Sequence, residues 1–293
     1  MRNELINLIE SEYSKKNQFS FLTADLGYSV LEKLKKKMKK NFINVGVAET
    51  NMILLASGIS EITKNTTYVY SISSFLTLRT IEVLRNYVSN DKRLICLIGV
   101  GAGVSYDKMG KTHFNLDDIN LIYGLKNILI LNPANEDELN FLFNKFKKKK
   151  FPVYYRINKK NYKNKYGFIK KNNVFYKSGN KFNVVVSGAI LNNFCSLYSK
   201  NELDKFNIIS LPIFSIDYNK SFEKFLIKGK TLFLVDSSKT LMFEEMRRIT
   251  ENKTNKKSFN LDFDHNLIKK VNSESGILKQ MGFSKSNIFK YLY

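Results

Sequence analysis

The stretch Gly46-Val47-Ala48-Glu49-Thr50-Asn51-Met52 sets one acid between a strand pattern and a helix pattern. Phe42–Val45 reads as the strand. Met52, Leu55, Ala56 and Ile59 recur at helical spacing and give the buried face of a helix from Glu49 to Thr63. Glu49 thus falls at a strand's carboxyl end and in the first turn of a helix. An acid there complements the helix dipole; a buried carboxyl there also suits proton traffic with a ligand. His113, one of 2 histidines, follows Gly110-Lys111-Thr112 in a polar loop. It reads as an ordinary loop histidine or as a substrate contact, because loops at strand ends carry such groups. Gly99, Gly101 and Gly103 precede it, but their GxGxG spacing opens no apolar helix, so the dinucleotide fingerprint is not met. No GxxxxGK[ST] loop occurs either. These glycines fit tight turns at a strand's carboxyl end, where ligands of α/β sheets gather.

The elements that must hold these groups alternate. Strands are expected at Phe19–Ala24, Phe42–Val45, Thr67–Ser71, Leu94–Val100, Ile128–Leu131 and Pro152–Ile157. Helices are expected over Val30–Lys40, Glu49–Thr63, Leu76–Val88 and Asn135–Lys148, the last with Glu136, Asp137 and Glu138 in its first turn. Strands separated by helix-length segments predict a mainly parallel, doubly wound sheet. From Asn158 to Lys181 the chain turns polar and Lys/Asn-rich, and the pattern then restarts. Strands Asn183–Ser187, Asn207–Leu211 and Thr231–Asp236 follow, with helices around Ala189–Ser199 and Phe222. The expectation is an α/β chain of two doubly wound domains: residues 1–160, a linker at 161–180, and a smaller domain at 181–293. Glu251–Ser258 reads as a ragged Lys/Asn-rich stretch.

Composition narrows the class. A chain of 293 residues has room for about two domains, and 43% hydrophobic with 25% charged residues is globular rather than disordered. The longest nearly apolar run, Leu94–Val104, is too short for a membrane-spanning helix. MRNELINLIE has no apolar h-region, so a cytoplasmic protein without a signal peptide is expected. Cys96 and Cys195 sit far apart in apolar runs and read as reduced core residues; with no CxxC, no zinc site is expected. The balance of 48 Lys+Arg against 26 Asp+Glu, net +22, invites a polyanion partner. Most of the excess is lysine, in runs such as Lys35–Lys37, Lys39–Lys40 and Lys147–Lys150, and arginine is scarce. That composition reads as a solvated surface, with neither nucleic acid nor membrane as partner.

Taken in order, seven segments resemble the transketolase family. They are Thr23-Ala24-Asp25-Leu26-Gly27, GVAETNM, SSFLTLR, GAGVSYDKMGKTH, Leu116-Asp117-Asp118-Ile119, Asn132–Glu138 and Tyr155-Arg156-Ile157. The resemblance is to the pyrimidine-binding domain followed by the C-terminal domain, strong to Ile157 and weaker beyond. It implies that Glu49 hydrogen-bonds the pyrimidine N1′ of thiamine diphosphate. It further implies that Phe75 stacks on that ring, although the same residue also reads as core. Asp25 and Ile72 would lie near the cofactor, Ile72 where an aromatic is usual. Ser29 and His113 would contact substrate, His113 at the reacting part of the donor sugar, and Arg156 would bind a sugar phosphate.

The implied reaction is transfer of a two-carbon ketol unit between sugars. No Gly-Asp-Gly occurs here, so the Mg²⁺ ligands are expected on a separate N-terminal transketolase subunit, in a heterodimer or heterotetramer. Alternatives are the β subunit of a 2-oxo acid dehydrogenase, a deoxyxylulose-phosphate-synthase-like acyloin former, and a non-catalytic basic interaction protein. Three departures from the family pattern leave open whether the substrate is phosphorylated. Met109-Gly110-Lys111-Thr112-His113 replaces Asp-Gly-Pro-Thr-His, so a substrate-hydroxyl carboxylate is missing or supplied by Asp107. Gly101 stands where a histidine is common, and Asp236-Ser237-Ser238 replaces a Glu/Gly-rich segment.

Overall fold

The computed structural model describes residues 1–16 and 19–292. Its first six strands are β1 (Ser20–Thr23), β2 (Phe42–Asn44), β3 (Thr67–Ile72), β4 (Ile95–Val100), β5 (Leu129–Leu131) and β6 (Val153–Ile157). Then come β7 (Ile169–Lys171), β8 (Val174–Lys177), β9 (Phe182–Ser187), β10 (Phe206–Ser210), β11 (Ile213–Phe214), β12 (Thr231–Val235) and β13 (Ser258–Leu261). They form two sheets, ordered β11-β5-β6-β4-β3-β1-β2 and β13-β12-β9-β10-β8-β7. Every pair among β1 to β6 is parallel, and every residue of β3 and β4 is buried, as sheets covered on both faces require. Side chains alternate across β3: Val69 packs into a cluster with Met52, Ile53 and Ala56, whereas Tyr68 and Tyr70 join Leu5, Ile6 and Ile9 on the other face. The doubly wound α/β architecture expected from the alternation is therefore present in both lobes.

Two helices dominate those faces: α1 (Arg2–Lys16) and, after the short α2 (Glu32–Met38), α3 (Glu49–Thr63). The helix expected over Leu76–Val88 starts earlier, directly at the end of β3, as α4 (Ser73–Leu78), and is interrupted at Arg79–Thr80. Its cause is local. The hydroxyls of Thr77 and Thr80 donate back to the carbonyls of Ser73 and Leu76, a contact that bends helices.

The domain limits differ from expectation at two points. Residues 169–177, inside the expected linker, form the β7–β8 hairpin at the edge of the second sheet. Its two-residue turn is Asn172-Asn173, with Asn172 left-handed at φ 58, and β7 is exposed throughout. An edge strand wetted on both faces carries the polar composition of a loop. Conversely, β11 leaves the second lobe to pair antiparallel with β5.

Lysines collect where helices end and parallel strands begin: Lys39–Lys40 before β2, Lys64 before β3, Lys92 before β4, Lys126 before β5 and Lys147–Lys150 before β6. Helix carboxyl ends favour cations, which accounts for this placement. It also puts these nine lysines at the end of the sheet opposite the strand carboxyl ends. No described helix is long and apolar enough to cross a membrane.

Glu138 lies in the first turn of the helix Glu136–Phe146, fully buried, where the Ala134 N–H donates to Oε2 at 2.6 Å and Asn135 caps the Glu138 N–H at 3.0 Å. Burial pushes its carboxyl up to about 7. The folded state therefore holds a proton that the unfolded state releases near 4.5, and stability falls as pH rises through that window, levelling above 7. Glu138→Gln should remove this component. Relative to wild type it should gain roughly 1–3 kcal/mol at pH 8 and nothing at pH 4.5. Urea unfolding at the two pH values checks it, and an equal difference at both would refute the assignment.

Candidate active site

In the first sheet the chain steps from β1 outward to β2 and then back across to β3, so the winding reverses between β1 and β3. The carboxyl ends flanking such a switch point are where open α/β sheets bind ligands. Asp25 lies in the loop after β1, Glu49 and Phe75 lie in the first turns of the helices after β2 and β3, and His113 lies in the loop after β4.

Glu49 opens α3 and is 3% exposed. The Ser71 hydroxyl, on β3, donates to its Oε1 at 3.3 Å, and Arg79 Nη1 donates to Oε2 at 3.1 Å. Arg79 is half-exposed, and its guanidinium carbon lies 4.1 Å from the centre of the Phe75 ring. Phe75 itself is only partly buried and meets His113 edge-on, with centroids 5.1 Å apart and planes at 63°. The Tyr106 ring also meets His113 edge-on, with centroids 6.1 Å apart. His113 Nδ1 sits 3.0 Å from the Thr112 hydroxyl. These rings and the buried carboxyl form one continuous polar and aromatic surface.

Beside it lies a cavity of about 200 Å³ lined by Asp25, Ile72, Tyr106 and Arg2, among others. Asp25 adopts φ 55 and is clasped by Asn44, which accepts from its N–H at 2.9 Å and donates to Oδ1 at 3.1 Å. Ser29 is exposed on the same loop, its hydroxyl donating to the Tyr28 carbonyl at 2.7 Å, and it is not among the cavity's lining residues. Burial pushes the Tyr106 hydroxyl up, and the neighbouring Arg2 guanidinium opposes that rise. Gly101, at φ 89, has a physical reason to lack a side chain: a Cβ there would run into the Tyr106 ring. A histidine at 101 is thereby excluded.

One expectation is corrected. Arg156 is fully buried on β6 rather than facing a phosphate. Its Nε donates to both oxygens of Asp118 at 3.1 and 2.9 Å, and its Nη1 to Asp236 Oδ1 at 2.6 Å. Nη2 donates to the carbonyls of Asn115 and Asp236 at 3.1 and 2.9 Å. Asp236 belongs to the second lobe, so this guanidinium ties the lobes together. The Asp236-Ser237-Ser238 segment completes the clasp, both serine hydroxyls donating to the Leu116 carbonyl. Asp107 is likewise committed: it accepts from the Lys108 and Glu274 N–H groups at 2.9 and 3.0 Å, away from the cavity.

Sequence reasoning missed Ser71, Arg79, Tyr106 and Arg2. Arg2 was detectable, since Leu5, Ile6, Ile9 and Tyr13 repeat at helical spacing and predict α1, whose first turn carries it. Arg79 was not, because its partner Glu49 lies 30 residues away.

The model of the transketolase pyrimidine-binding domain matches residues 1–165. A Methanocaldococcus jannaschii chain provisionally described as a transketolase C-terminal section is 29% identical over 137 residues, covering 46% of this chain and 43% of that one. A 6-deoxy-6-sulfo-D-fructose transketolase subunit of a Clostridium species is 24% identical over 158 residues, 54% of this chain and 49% of that one. These matches span about half the length of each relative. Among solved structures, a split-gene transketolase in an inactive β4 tetramer superposes with a TM-score of 0.75 at 15% identity, over 99% of this chain and 95% of that one. At that identity the likeness concerns the fold.

Proposed function

This chain belongs to the transketolase pyrimidine-binding domain family, and from that membership we propose that it is one subunit of a thiamine-diphosphate-dependent transketolase. It moves a two-carbon ketol unit between sugars, in an active site completed by a separate subunit that carries the diphosphate and Mg²⁺ ligands. The observation that carries this reading is the convergence of the buried Glu49 carboxyl, the partly buried Phe75 ring and His113 at the sheet's switch point.

Those residues fit an aminopyrimidine: a carboxyl for the ring nitrogen, a flat aromatic face beside it, and Ile72 as an apolar neighbour where the family usually has a second ring. Thiamine diphosphate, when bound, supplies the carbon nucleophile and electron sink for cleaving a carbon–carbon bond. Glu49 holds the proton shared with ring N1′, and Ser71 fixes the carboxyl's orientation. His113, with Nδ1 engaged by Thr112, turns Nε2 toward a donor hydroxyl. Arg2 is the cation that lines the cavity, and it takes over the anionic end of the substrate that the buried Arg156 cannot reach. Asp25 stays near the cofactor and Ser29 at the substrate rim.

Tyr28 and Val47, 93% and 73% exposed, sit on the loop bearing Asp25 and on the one leading into Glu49. A partner seated over the site would bury both, which supports a shared active site. The relatives' descriptions as a section and a subunit support it as well.

The test mixes this chain with a candidate partner bearing a Gly-Asp-Gly segment, Mg²⁺ and thiamine diphosphate, and follows product formation. Ketose donors with an aldose acceptor should turn over, and pyruvate should not. Turnover of pyruvate alone would move the chain to the 2-oxo acid class.

A further inference from the structure

Arg79 presents a planar cation to the two groups that define the aminopyrimidine position. Its Nη1 donates to Glu49 Oε2 at 3.1 Å while the guanidinium carbon covers the Phe75 ring at 4.1 Å. A guanidinium and an aminopyrimidine share the features that matter here: a flat conjugated N–C–N unit, N–H groups directed in the plane, and a face that stacks on an aromatic ring. We infer that Arg79 is a built-in occupant of the pyrimidine subsite, holding the Glu49–Phe75 pair in its binding geometry until the cofactor ring displaces it.

Three features of the site support this assignment. Glu49 is 3% exposed, and burying an unpaired carboxylate is expensive, so the carboxyl needs a partner in every state of the chain. The Arg79 side chain is 51% exposed, so it can leave without breaking the core and its charge passes into water. Its backbone is fixed just beyond α4, where the Thr50 hydroxyl, in the first turn of α3, donates to the Arg79 carbonyl at 3.4 Å. The displaced side chain therefore swings about an anchored residue and remains next to the site. Glu49 exchanges one planar hydrogen-bonding partner for another and never stands alone. Arg79 is a positioning residue in this scheme and a determinant of cofactor affinity.

The inference rests on the proposed function, and a binding measurement separates the two. Isolated wild-type chain, Arg79→Ala, Arg79→Lys and Glu49→Gln are titrated with 4-amino-5-hydroxymethyl-2-methylpyrimidine by saturation-transfer NMR, with thermal unfolding as the folding control. Arg79→Ala should bind the probe about tenfold more tightly than wild type, because the half-exposed ion pair and the cation–π contact no longer compete. Arg79→Lys should fall between the two, since an ammonium pairs with the carboxylate but offers no plane. Glu49→Gln should bind more weakly than wild type. Equal or weaker binding by folded Arg79→Ala overturns the inference and leaves the pyrimidine site standing, with Arg79 as a support that the ring requires. If no variant binds the probe, the pyrimidine subsite is rejected and the proposed function with it.

Discussion

Glu49→Gln should reduce ketol transfer by a factor of about 10²–10⁴, the range lost when a positioned acid–base group is removed. The amide keeps the size and one hydrogen-bond acceptor of the carboxyl, so the loss reports proton exchange with the ring nitrogen and not a cavity. Structural consequences should be small. Arg79 is half-exposed, and pairs of that kind contribute about 0–1 kcal/mol. The Ser71 hydroxyl, 3.3 Å from Oε1, can still donate to the amide oxygen. The expected signature is therefore a fall in kcat with thermal stability near wild type. Activity within a few-fold of wild type in the reconstituted complex would remove Glu49 from the chemistry and with it the transketolase reading of this site.

The parts of this site that were legible in the sequence are those encoded over short distances. Glu49 was legible because a strand pattern, a glycine and a helix pattern meet within a dozen residues and fix where the acid must stand. The parallel sheet was legible because its strands are separated by helix-length segments, and β4, buried on both faces, is a nearly continuous apolar run. The hairpin at 169–177 was not, since β7 is exposed and lysine-rich, although Asn172-Asn173 is the kind of turn that hairpins use. Arg156 shows a deeper limit. Its type and its place at a strand end match a phosphate contact equally well, and the two acids that claim it lie 38 and 80 residues away. Only the assembled lobes show that Asp118 and Asp236 enclose it. The net charge of +22 is a related case: helix ends place a share of the lysines far from the strand carboxyl ends, so the whole number does not measure anion binding at the site.

The same burial sets the second large effect, on stability. Arg156→Met should destabilise the chain by about 3–5 kcal/mol, because it leaves two carboxylates in the interior without their cation. Asp236 is already strained in this sense: burial pushes its carboxyl up, and the guanidinium only partly offsets that rise. Tyr154 donates to Asp118 Oδ2 at 2.7 Å but brings no charge, so it cannot replace the arginine. Gly103 belongs to the same arrangement, since a Cβ at that position, with φ 62, would collide with the Asp236 carboxylate and force the lobes apart. Combining Arg156→Met with Asp118→Asn and Asp236→Asn should recover part of the loss, as the uncompensated charges are removed with their partner. Urea unfolding followed by far-UV circular dichroism measures both variants. A single substitution that lost under about 1 kcal/mol while weakening substrate binding would return Arg156 to the active site. A large loss with partial recovery in the triple variant instead identifies it as the cation on which the joining of the two lobes depends.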